Sequence, residues 1–85
     1  MEEQIGKISH YFAKISVGII AVAQGELNVG DRIHVKGHTS DFFQSVDSMQ
    51  VEHAAVAAAK AGDSVGIKVV APVHEHDLVF KVKPD

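Results

Sequence analysis

The chain has 85 residues, 46% of them apolar, no cysteine and a formal net charge of −3. That size supports one hydrophobic core, so a single domain over residues 1–85 is expected, and the apolar share excludes a disordered polymer. Without cysteine there is neither a disulfide nor a thiolate metal site, and the acidic balance argues against strong non-specific binding to nucleic acid.

The acidic start Met1-Glu-Glu-Gln lacks the apolar stretch of a signal peptide, and no apolar run reaches membrane-spanning length. A cytoplasmic protein with no membrane partner is the expectation. Ile5 to Phe12 reads as a first strand, with Ile8, His10 and Phe12 on one face. Ile15 to Ala23 is β-branched and almost wholly apolar, as in a strand covered on both faces. Gln24-Gly-Glu and Val29-Gly-Asp supply turns, and Arg32 to Lys36 alternates with Ile33 and Val35 inward. A polar loop, Gly37-His38-Thr39-Ser40-Asp41, leads to a less regular strand from Phe42 to Val51. The alanine-rich piece from Ala54 to Ala61 has high helix propensity but is too short to hold a helix without packing, so extended structure is favoured. Ser64 to Val70 and Leu78 to Lys83 alternate again, and Pro84 stops the last strand.

Many short strands with glycine turns between them predict an all-β fold, a closed barrel or sandwich. The expected core is Val17, Ile19, Ile33, Val35, Val46, Val65, Ile67, Val69, Leu78 and Phe80. Gly30-Asp31 and Gly62-Asp63 each open a strand, so these glycines are expected in turns, one or both with positive φ.

Chemistry-bearing residues are sparse. A nucleophile needs a base within hydrogen-bond reach, yet neighbours such as Ser9 and His10 point to opposite faces of a strand. No catalytic residues are assigned, and the chain is not expected to be an enzyme. Of six histidines, His74 and His76 flank Glu75 and precede Asp77, a weak metal pattern with no assured third ligand, so neither a metal nor a cofactor is expected. If the last two strands pair, Lys68 faces Lys81 with Lys83 nearby, a basic cluster suited to an anionic partner or merely blunting a sheet edge.

The run Gly25-Glu-Leu-Asn-Val-Gly-Asp-Arg-Ile33, the piece Val46-Asp-Ser-Met49 and the segment Lys60-Ala-Gly-Asp-Ser-Val-Gly66 together resemble the second domain of translation GTPases such as elongation factor Tu and initiation factor two. The resemblance spans residues 6–82. It implies a closed Greek-key β-barrel of six or seven strands and a non-catalytic module docking to ribosome, tRNA or a translation-associated protein. The loop Gly37 to Asp41 would be its contact site. GTP binding is not expected, since no Gly-Lys-Ser or Gly-Lys-Thr phosphate loop occurs. A similar barrel is appended to collagenase-like peptidases, which implies a protein–protein adaptor as the alternative. A small histidine-based metal protein is a weaker third reading.

Overall fold

A computed structural model describes residues 1–83, all extended or turn, so the part expected of Pro84 lies outside the described residues. Ten strands follow in order: β1 (Glu2–Phe12), β2 (Val17–Val22), β3 (Glu26–Asn28), β4 (Arg32–Lys36), β5 (Asp41–Ser45), β6 (Met49–Val51), β7 (Ala54–Val56), β8 (Ala58–Lys60), β9 (Ser64–Lys68) and β10 (Leu78–Val82). The alanine-rich piece is extended, forming β7 and β8. Its packing, not its propensity, decides: Ala59 is buried and Val56 packs against the core.

Eight strands form one antiparallel sheet in the order β5-β4-β10-β1-β2-β9-β6-β7, and β3 pairs with β8 in a small second sheet. The first sheet has two ends, β5 and β7, with no ladder joining them. It curls instead, and Gln44 on β5 reaches across: its amide nitrogen donates to Lys68 O at 2.8 Å and its oxygen accepts from Val70 N at 2.9 Å. Gln44 is buried, and these bonds satisfy it where burial would otherwise be costly.

The core comprises Ile5, Ile8, Ile20, Val22, Ile33, Val35, Val65, Ile67 and Val79, joined by Leu27, Met49 and others. Ile33, Val35, Val46, Val65, Ile67 and Val69 are buried as expected. Two strands differ. In β2, Ile20 and Val22 take the core while Val17 and Ile19 lie half-buried on the outer face. In β10, Val79 is fully buried, Phe80 half-buried, and Leu78 37% exposed, reversing the expected parity. β2 is apolar on both phases apart from Gly18, while β10 carries Leu78, Phe80 and Val82 on one phase against Val79 and Lys81 on the other, so alternation does not pick out the buried face. In β10 the choice is set by pairing, which aligns Phe80 with His34, itself opposite Phe43, on the outer side.

β1 carries two bulges, between Gln4 and Gly6 and between Ile8 and His10. The second moves His10 and Phe12 to the outer face and turns Tyr11 towards the core.

Candidate functional site

Three clusters gather polar or exposed apolar side chains. The first joins the loop 37–41 to the turn before β10, two segments far apart in sequence. Ser40 Oγ and Thr39 Oγ1 each lie 3.4 Å from His74 Nδ1, and Asp77 Oδ2 lies 3.8 Å from that same nitrogen. A serine–histidine–acid relay needs the hydroxyl and the carboxylate on different ring nitrogens. Here both approach Nδ1, so the group has triad composition without triad geometry. Asp77 is instead a turn residue: its carboxylate accepts from His74 N at 2.9 Å and packs so closely on Gly37 that a Cβ there would overlap it. His38 is exposed beside it.

The second cluster surrounds His34, which is 9% exposed. Its Nδ1 lies 2.8 Å from Glu2 Oε1, and its Nε2 lies 2.5 Å from Asp41 Oδ1. Burial opposes the imidazolium, but its hydrogen bonds to the Asp41 and Glu2 carboxylates and their charges outweigh it, raising the His34 pKa above the usual histidine value. The ring stacks on Phe43 at 4.1 Å, and Arg32 lies 5.4 Å from the Phe43 centroid. Alternation with Ile33 and Val35 inward makes His34 an outward residue of its strand. It is outward, but Glu2, Asp41, Phe43 and Phe80 cover it, a convergence of β1, β4, β5 and β10 that linear spacing does not display.

The third is an apolar cleft of about 340 Å³ on the outer face at the far end of β1. Phe12, Ile15, Val17 and Ile19 form its apolar side, and Gln50, Glu52 and His53 from the β6–β7 hairpin form the opposing rim. Gly66 and Ser64 on β9 complete it. Ile15 is 58% exposed and Phe12 45%. Sequence reasoning missed this cleft; the signal was the second apolar phase of Ile15 to Ala23.

The three lysines do not form the expected cluster. β9 and β10 are not neighbours, since β1 and β2 separate them. Lys68 is opposite Val17, Lys81 shares the inward phase of Val79 and pairs with Asp31 at 3.1 Å, and Lys83 pairs with Glu3 at 2.6 Å. The hairpin was assumed because β9 precedes β10 in sequence, but residues 69–77 carry the chain to the other side of the sheet.

Gly30 and Gly62 occupy turns with φ of 98° and 97°. Asp31 and Asp63 each fold back to accept the backbone N–H three residues earlier, from Asn28 at 2.8 Å and Lys60 at 3.0 Å. Among the described residues no three His, Asp or Glu side chains converge in a way that could hold a metal ion, and no helix is long and apolar enough to cross a membrane.

An all-β module with an exposed apolar cleft and no catalytic constellation among its described residues is what the comparisons must explain. No family model matches the chain. It is 36% identical over 81 residues to an uncharacterized protease of Methanocaldococcus jannaschii, and 30% identical over 78 residues to a collagenase of Porphyromonas gingivalis. These alignments cover 94% and 91% of the chain but only 20% and 22% of those proteins, so the chain spans about a fifth of the length of the curated relatives it matches. Among solved structures it is similar to the C-terminal domain of a Geobacillus thermoleovorans protein described as a U32 peptidase, with a TM-score of 0.87 at 19% identity, covering 95% of this chain and 93% of that one. The selenomethionine form of that domain gives 0.85, covering 91% and 96%.

These findings overturn the translation-factor resemblance and the elongation-factor-like description drawn from it. The relatives are peptidases. The Gly-Asp strand openings and alternating valines that carried the resemblance are what aspartate-closed turns and a curled sheet require, and such requirements are shared by modules of unrelated task.

Proposed function

We propose that the chain is a single non-catalytic polypeptide-binding module of the kind appended to collagenase-like peptidases. One observation carries this: near full-length similarity to about a fifth of proteins named protease and collagenase, in a chain whose Ser40-His74-Asp77 grouping, among the described residues, has the wrong geometry for catalysis. A reaction centre in such relatives then belongs to the remaining four-fifths of their length, and this module contributes by holding polypeptide. The curled sheet, bridged by Gln44, serves as a barrel-like scaffold for that task. The dispersal and neutralisation of Lys81 and Lys83 favour a polypeptide over a phosphate backbone.

The test uses the 85-residue chain and fluorescein-labelled lactalbumin kept unfolded by reduction and alkylation. A saturable rise in anisotropy is expected, with no new fragments on a gel after prolonged incubation. Fragments released by the purified chain, or no rise at all, would overturn the reading.

A further inference from the structure

We propose that the cleft between the β1–β2 and β6–β7 turns docks large apolar side chains presented by an extended segment of an unfolded polypeptide supplied in trans. The proposal rests on the polypeptide-binding reading and gives it a place and a chemistry.

The wall is apolar where a β-sheet's outer face is normally polar. Ile15 and Phe12 are among the most exposed large apolar side chains, and Val17 and Ile19 continue the strip. Gly66 pairs with Ile19 and adjoins Gln50, and any Cβ there would lie 3.3 Å from the Ile19 and Val17 side chains. A glycine in mid-strand weakens a sheet, and here it leaves the floor open to an approaching chain.

The two flanking turns are strained. Among the described residues four non-glycine residues have positive φ, and three of them border this cleft: Ser16 at 54° beside Ile15, and Glu52 and His53 at 51° and 68° in the opposing hairpin. Such turns ordinarily carry Asn-Gly, and strain of this kind concentrates where a ligand is held. Among the described residues that line the cleft, Glu52 is the one Asp, Glu, Lys or Arg, which suits a polypeptide and repels phosphates.

The cleft's position selects the occupant. Met1 meets Lys83 at one end of the molecule, where Lys83 N donates to Met1 O at 2.7 Å. Phe12 lies at the other end of the eleven-residue β1, roughly 35 Å away at strand rise. The longest dimension of the protein is 35 Å. Where such a domain is C-terminal, as in the Geobacillus neighbour, the preceding chain enters at the Met1 end. The cleft then faces away from that attachment, towards a partner arriving from solution.

The experiment compares two fluorescein-labelled fifteen-residue glycine/serine peptides, one with two central leucines and one with serines in their place. The wild-type chain, Ile15→Asp and the distant control Phe43→Asp are titrated, with far-UV circular dichroism to confirm folding. Ile15 is 58% exposed and Phe43 44%, neither belongs to the core, and folding should be retained. If Ile15→Asp nevertheless fails to fold, Ile19→Ser replaces it. Expected are binding of the leucine peptide, at least tenfold weaker binding of the serine peptide, at least tenfold loss in Ile15→Asp, and no loss in Phe43→Asp. Equal affinity for both peptides, or an unaffected Ile15→Asp, would overturn the proposal. Binding of unfolded lactalbumin but of neither peptide would refute the cleft and leave the broader reading standing. Failure of both probes would refute both. Self-association abolished by Ile15→Asp would assign the cleft to a second copy and likewise overturn the proposal.

Discussion

His34 shows how one side chain ties four strands together. It sits on β4, its protonated ring donates to the carboxylates of Glu2 on β1 and Asp41 at the start of β5, and it lies against Phe80 of β10. Because its folded pKa is raised, the native state holds its proton more tightly than the unfolded chain does. The resulting stability is fully present below the unfolded value of about 6.5 and is lost as pH rises through the folded pKa. Urea midpoints for wild type and Glu2→Gln should therefore differ most at mildly acid pH, where the imidazole is protonated and carboxylates are ionised, and converge at alkaline pH. A constant difference across the range would remove His34 from this role. The residue was visible in the sequence as one of a histidine-rich set, but its partners were not. Glu2 is 32 positions away, and only the register of β1 on β10 and of β10 on β4 brings it near.

At the scale of elements, the turns were the most legible part of the chain. Three turns share one design: residues 28–31, 60–63 and 74–77 each close with an aspartate whose N–H bonds back to the first carbonyl and whose carboxylate accepts the first N–H. The third position is left-handed in each, at 98° for Gly30, 97° for Gly62 and 76° for His76. The Gly-Asp pairs announced the first two. The third was masked because histidine stands where glycine is easiest. Gly62→Ala should cost about 1 kcal/mol through backbone strain alone, since nothing lies within 4 Å of the added methyl. His76→Gly should leave stability unchanged or raise it, because relief of strain offsets the greater freedom of the unfolded chain. Thermal unfolding of the two variants checks both signs. Strand faces were less legible. β2 is apolar on both phases and β10 turns its more apolar phase outward, so their parity depends on which neighbours they meet, and that information resides in the topology. The lysine cluster failed for the same reason.

For the whole molecule, the sheet's curl is held by a side chain where ladder pairing stops. Gln44→Leu keeps the size near that of glutamine but strips partners from Lys68 O and Val70 N, and should cost about 1–3 kcal/mol. A chemical-denaturation midpoint equal to wild type would mean that β5 stays against the end of β9 without the bridge. The all-β class was plain from alternation and turns. The task was not, because it depends on an outer face whose apolar residues looked like surplus core. The most direct test of the account is a nuclear magnetic resonance titration of the ¹⁵N-labelled chain with unlabelled, permanently unfolded lactalbumin. The amide shifts should concentrate on residues 12–19, 50–53 and 64–66, around the cleft of Phe12, Ile15 and Ile19. Shifts centred instead on His34 and Phe43, on Lys68, Lys81 and Lys83, or nowhere, would contradict it.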